Sequence, residues 1–145
     1  MARIEESIEI RRPVDKVFAY TTDAKSWPQW QSTIPKAEQT SPGSVGIGTT
    51  FDGTIRMMGL SMKWTAITTE YEPNRKFGKN IASGFVTNEQ HNTYEPIGGG
   101  TRFTIAYDFK VAGLMALFSP ILVSSMRKAL KKALANLKDI LEAQT

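Results

Sequence analysis

From Leu122 onward, apolar residues recur at steps of three and four: Leu122, Met126, Leu130, Ala133, Leu134, Leu137 and Leu141. At about 3.6 residues per turn they fall on one stripe of a helix. Arg127, Lys128, Lys131, Lys132, Lys138 and Asp139 take the opposite side. Ser119-Pro120 is the expected start, since serine can cap free N–H groups and proline fits the first turn, where its missing donor costs nothing. The apolar Leu114–Phe118 run before it reads as a preceding turn or a kinked extension. A long helix with one apolar face requires a large partner surface.

Earlier in the chain the period changes to two. Ile4, Ile8 and Ile10 alternate with Glu5, Ser7 and Glu9, the pattern of a half-buried strand that ends at Arg12-Pro13. Pro13 suits the first turn of a helix, Asp15 favours its dipole, and Val14, Val17 and Phe18 form a short stripe. Asp23 can cap a second short helix leading to Trp27-Pro28-Gln29-Trp30. Strands and turns follow. Ser41-Pro42-Gly43 is a turn signal. Thr49–Met57 places Phe51, Ile55 and Met57 on one face, and Met58-Gly59 is the expected hairpin tip. Leu60, Met62, Trp64 and Ala66 share a face of a strand running to about Glu72. Lys76–Ala82, Phe85–Glu95 and Thr101–Lys110 complete the series, the last with Phe103, Ile105, Tyr107 and Phe109 on one face. The expected order is one strand, two short helices, about six strands in meander and one long helix. That is a single α+β domain over residues 1–145, in which an antiparallel sheet buries its apolar face against the helix.

Composition narrows the function classes. The 145 residues are 41% hydrophobic and 22% charged, ordinary for a globular protein. With no cysteine, disulfides, thiolate metal sites and cysteine nucleophiles are excluded. The net charge of +4 and pI near 9.4 are mild, and outside Arg127–Lys132 the basic residues are scattered. No zinc finger, RNP-type aromatic motif or Arg-rich run indicates nucleic acid. The charged N-terminus lacks a secretory apolar run, and Leu114–Val123 is too short to span a bilayer, so a cytoplasmic protein is expected.

The segment Ile8-Glu9-Ile10-Arg11-Arg12-Pro13-Val14-Asp15-Lys16-Val17-Phe18, Asp23 with Trp27-Pro28-Gln29-Trp30, Tyr94-Glu95-Pro96 with Gly99-Gly100-Thr101-Arg102, and the terminal helix together resemble the START-like, Bet v 1-like (SRPBCC) superfamily. The resemblance is to its polyketide cyclase/dehydrase-like branch and covers nearly the whole chain. It implies a helix-grip fold, in which a curved antiparallel sheet of about seven strands wraps a long C-terminal helix, with two short helices after the first strand. It also implies an apolar cavity between sheet and helix.

On that reading Phe51, Ile55, Trp64, Phe103, Tyr107, Phe118, Leu122, Met126 and Leu130 are the expected ligand-lining residues, with plain core packing as the alternative for each. Met57, Met58, Met62 and Met126 would adapt to varied ligand shapes. His91 is the only histidine. As a general base it would have to face inward beside a carboxylate, with Glu89 the other candidate. One residue of register slip around Gly98–Gly100 flips every side chain, so its facing stays open. No Ser/His/Asp spacing, Gly-x-Ser-x-Gly motif or phosphate loop is present, and no metal or cofactor is expected. The aromatase/cyclase relatives have no motif that transfers residue by residue.

Three functions follow as expectations. The first is binding of a hydrophobic small molecule such as a lipid, isoprenoid or polyketide. The second is a cofactor-free cyclase or dehydratase in the same cavity. The third is a membrane-peripheral or partner-binding module, in which Leu114–Val123 dips into a bilayer and Arg127–Lys132 meets anionic headgroups. The sequence does not fix the ligand or the oligomeric state.

Overall fold

The computed structural model describes residues 2–57 and 59–144. Strand β1 (Ala2–Ile10) leads through Pro13 into helix α1 (Val14–Thr21). Asp23 accepts a hydrogen bond from the Lys25 N–H at 3.0 Å and opens a 3₁₀ turn, Ala24–Ser26, that runs into the short helix α2 (Trp27–Trp30). Six strands follow: β2 (Lys36–Gln39), β3 (Thr50–Met57), β4 (Leu60–Glu72), β5 (Lys76–Ser83), β6 (Val86–Ile97) and β7 (Gly100–Val111). A 3₁₀ segment (Gly113–Phe118) then precedes helix α3 (Ser119–Glu142). Among the described residues no helix is long and apolar enough to cross a membrane.

The sheet order is β1-β7-β6-β5-β4-β3-β2, all pairs antiparallel. The chain thus crosses from one sheet edge to the other through α1 and α2, then meanders back until β7 pairs with β1. This is the helix-grip α+β fold: a seven-stranded antiparallel sheet, short helices after the first strand and a long closing helix.

Several expectations are refined. Leu114–Phe118 lies in a separate 3₁₀ segment rather than in an extension of α3: Phe118 leaves helical geometry, and Pro120 in the first turn of α3 has no N–H with which to continue a helical ladder from the preceding turn. Ser119 does not cap α3. It lies in the first turn, Phe118 holds the cap position, and no side chain accepts the free N–H groups. Met58 of the expected hairpin tip lies outside the described residues. A bulge between Thr68 and Glu70 reverses the facing of β4 beyond it, so that Tyr71 turns inward and Glu70 outward.

The C-terminal half of α3 is tightly packed. Leu130, Ala133, Leu134, Leu137 and Leu141 are buried, largely against β1 and α2. Its end is pinned. Lys138 Nζ donates to the Glu9 carbonyl at 2.6 Å and to Glu142 Oε2 at 2.7 Å, and the Arg11 N–H donates to the same carboxylate at 2.9 Å. The hydrogen bond from Lys138, then that from Arg11, holds the Glu142 carboxyl below the usual range.

Gly53 of β3 faces the interior opposite Trp64 of β4. A Cβ there would collide with the Lys36 carbonyl oxygen and stand 2.8 Å from Trp64 Cζ2, so glycine lets the indole lie across the sheet. Gly53→Ala should therefore lower unfolding free energy by roughly 1–3 kcal/mol, read from the urea midpoint. An unchanged midpoint would mean that β2 and Trp64 shift freely.

Candidate ligand-binding site

The concave face of the sheet has two halves. One is filled by α1 and α2. Trp27 packs on Phe51 (centroids 4.9 Å apart) and Phe77 (6.4 Å), while Trp30 packs on Phe103 (6.4 Å) and Phe18 on Tyr94 (4.9 Å). Hydrogen bonds lock this half. The Trp27 indole donates to the Thr21 carbonyl at 2.8 Å, and the Thr21 and Tyr94 hydroxyls share a bond at 2.6 Å. The other half, under the N-terminal part of α3, holds a cavity of about 130 Å³. Its floor comes from Ile55 and Met57 of β3, Met62 and Trp64 of β4, Lys79 and Ile81 of β5, Asn88 and Gln90 of β6 and Tyr107 of β7. Its roof is Leu122, Met126, Ala129, Leu130 and Ala133, and Leu60 and Phe85 stand at the rim.

Six of the nine residues expected to line a ligand site, Ile55, Trp64, Tyr107, Leu122, Met126 and Leu130, stand around this cavity. Phe51 and Phe103 do not. They share the concave face but fall where Trp27 and Trp30 fill the space, and are 1% and 0% exposed. Phe118 is also away from the cavity, 50% exposed at the end of the 3₁₀ segment.

His91 and Glu89 lie on the other face of the sheet. In β6, Val86, Asn88, Gln90, Asn92 and Tyr94 turn inward, which sends Glu89 and His91 to the convex side. There His91 Nδ1 lies 2.6 Å from Glu70 Oε1, and Nε2 lies 3.7 Å from Asp108 and 3.9 Å from Glu89. Ligand atoms of Glu89, His91 and Asp108 lie within 4.8 Å of one another, but the cation against Asp108 is the Arg3 guanidinium, at 2.7 Å. This is a cross-strand charge network on the surface, and neither His91 nor Glu89 reaches the cavity as an acid or base.

Lys79 is not among the residues expected from the sequence to line the site, although the alternation Phe77, Lys79, Ile81 places a cation on the apolar face of β5. Lys79 is 5% exposed, and its Nζ lies 3.7 Å from the Trp27 ring centroid, 5.4 Å from that of Phe77 and 5.9 Å from that of Phe51. The cation–π contact offsets part of its desolvation. Strand register aligns Thr68, Lys79, Gln90 and Tyr107 as one polar rung across β4, β5, β6 and β7. Among the described residues no carboxylate pairs with Lys79, and burial alone pushes its pKa down to about 7. Burial pushes the Tyr107 phenol up to about 12, so it stays protonated. Gln90 Nε2 donates to Asn92 Oδ1 at 2.9 Å. Trp64 Nε1, Asn88 Oδ1 and Thr68 Oγ1 are buried without a hydrogen-bond partner among the described residues. An apolar cavity with unsatisfied polar atoms on its floor is a site suited to a ligand that is mostly apolar and carries one polar group.

Known structures share this fold. A START superfamily protein from Mycobacterium smegmatis aligns with a TM-score of 0.85 at 15% identity, over 99% of each chain. The protein TTHA0849 from Thermus thermophilus aligns at 0.84 with 16% identity, over 98% of each chain. The Zhui aromatase/cyclase from Streptomyces sp. R1128 aligns at 0.83 with 13% identity, over 97% of this chain and 93% of that one. Among curated protein sequences none matches. The fold is that of the START-like class. The chain belongs to the polyketide cyclase / dehydrase and lipid transport family, whose sequence pattern matches residues 1–142.

The buried amine has a consequence for stability. Lys79 binds its proton less readily in the folded chain (about 7) than in the unfolded one (10.5), so the unfolded state holds more protons between those values. Stability therefore rises with pH across that window, and below it the penalty is fully present. Lys79→Met should be more stable than the wild type at pH 7 by on the order of 2 kcal/mol. The gap should shrink as pH rises toward 10.5. Urea denaturation of both proteins at pH 7 and pH 10 checks this, and a gap independent of pH would contradict a desolvated amine.

Proposed function

We propose that this protein binds a small hydrophobic molecule in the cavity between sheet and α3. The apolar body rests between Ile55, Trp64, Leu122, Met126 and Leu130, and a polar end meets Lys79 and Gln90. The single observation that carries this reading is an apolar cavity with, on its floor, a lysine with which no carboxylate among the described residues pairs. Membership of a family described by lipid transport as well as cyclisation supports it. A space of about 130 Å³ matches a ligand of about one ring or a short chain, since an apolar cavity of about 150 Å³ takes up benzene. Longer isoprenoid or polyketide chains would leave past Leu60 and Phe85 at the rim. The cyclase reading through His91 and Glu89 is not adopted, because both residues face away from the cavity.

Ala129 tests the reading. It is a small roof residue on α3, so Ala129→Phe puts a ring into the space without touching the packed half. Titrated with an apolar environment-sensitive fluorophore, the wild type should saturate at one site. The variant should bind at least about tenfold more weakly, a change of about 1.4 kcal/mol, with a melting temperature close to wild type. Equal binding by both would place the ligand elsewhere.

A second reading rests on its own observation. Leu114, Leu117 and Ile121 are 83%, 78% and 60% exposed, beside the exposed cations Arg127 and Lys128. This segment would rest on an anionic bilayer, where the apolar side chains enter the headgroup boundary and the cations meet phosphate. The wild type should cosediment with phosphatidylserine-containing vesicles at low salt, and Leu117→Glu/Ile121→Glu should lose most of that binding. No wild-type sedimentation at low salt would remove this reading.

A further inference from the structure

We propose that Lys79 is a nucleophilic site at which the cavity captures a small apolar aldehyde or ketone as a reversible imine, an inference that rests on the cavity's being a ligand site. The geometry comes first. Lys79 projects from the middle of β5 into the cavity, flanked on its rung by the neutral Thr68 and Gln90 and lying against the face of Trp27. The α3 residues that line the same cavity include Met126, Ala129, Leu130 and Ala133, none charged. From α2 it meets Trp27, and from β3 Phe51. Among the cavity's lining residues Tyr107 is the only other group that titrates, and its phenol is protonated at neutral pH. The acids nearest in sequence to the neighbouring strand positions, Glu70, Glu89 and Asp108, are on the convex face and pair there with His91 and Arg3. Nothing described on the concave side supplies the negative charge that would keep the amine protonated.

A lysine in such surroundings holds a large share of its amine as the free base near neutral pH, the form that attacks carbonyl carbon. The step balances without any further reagent. The Nζ lone pair bonds to the carbonyl carbon, the C–O π pair moves to oxygen, and the oxygen takes a proton. The carbinolamine then loses that oxygen as water, together with the remaining N–H proton, and leaves a C=N bond. Water reverses it. Two donors that line the same cavity, the unpartnered Trp64 indole N–H and the Tyr107 hydroxyl, suit a carbonyl or carbinolamine oxygen. The apolar walls hold the rest of the molecule.

The test is reductive trapping. The wild-type protein is incubated at pH 7 with benzaldehyde and sodium cyanoborohydride, then analysed by intact mass and peptide mapping, while a parallel sample is titrated with an apolar fluorophore. Surface lysines near their ordinary pKa carry on the order of a thousandfold less free amine at that pH. One benzyl group per chain, mapped to Lys79, absent from Lys79→Met and suppressed by excess toluene, is the expected result. Benzylation spread over many lysines, equal in wild type and Lys79→Met, would overturn the proposal. So would protection of the cavity by benzoate with no trapping of benzaldehyde, which would make Lys79 an ion-pairing site. If fluorophore binding persists in either case, the cavity reading stands and only the imine fails. If no fluorophore binds and no labelling is selective, both fail together.

Discussion

One helix cannot cover the concave face of a seven-stranded sheet. Strands spaced about 4.8 Å apart make a surface on the order of 30 Å wide, against a helix about 10 Å across with its side chains. Something else must fill the remaining area or it stays open. In this protein the residues between β1 and β2 fill one half, because the chain has to cross from one sheet edge to the other and carries Phe18, Trp27 and Trp30 inward as it does so. The C-terminal half of α3 closes on β1 and α2 and is held by Lys138 and Glu142. The N-terminal half of α3 lies over the part of the sheet that the crossing does not reach. The cavity is the space left over by this division.

What distinguishes that space from an ordinary packing defect is its polar content. A void that served only packing would be lined by apolar groups, since a buried polar atom without a partner costs about 1–3 kcal/mol. Here Asn88 Oδ1 and Trp64 Nε1 bring unsatisfied groups to one cavity, and Lys79, Gln90 and Tyr107 add three more polar side chains. In the packed half the Thr21–Tyr94 hydroxyl pair and the Trp27 indole are hydrogen-bonded, and among the described residues there the Trp30 indole N–H is the buried side-chain group left without a partner. Departures from local consistency of this kind mark functional positions more often than structural ones.

The fold was readable because its signals are redundant. Period-two alternation in β1 and β7, the three-and-four spacing in α3 and the turn residues between strands all point the same way. The candidate site was readable only in part. Trp64, Tyr107, Leu122 and Met126 are visible as apolar or aromatic residues on the concave face, but periodicity cannot tell a cavity wall from core. Phe51 and Phe103 have the same pattern and are core, because the residues that cover them come from α2, far away in sequence. The facing of His91 depends on hairpin register, which Gly98 and Gly99 leave loose in sequence and the pairing of β6 with β7 fixes. Lys79 had a local signal, a charge between Phe77 and Ile81. Its meaning, a cation without an anion, depends on where Glu70, Glu89 and Asp108 point, and a bulge in β4 decides the first of these.

The most direct measurement of this account is the proton affinity of Lys79 itself. With ¹³C-labelled lysine, the Cε resonance of Lys79, assigned by its absence from Lys79→Met, can be followed from pH 5 to 11. A midpoint near 7, well separated from those of the surface lysines, is what a desolvated amine in an apolar cavity predicts. A midpoint at the ordinary value of about 10.4 would mean that water or an anion reaches the amine freely. The central claim, an apolar ligand site built around an unpaired cation, would then be wrong.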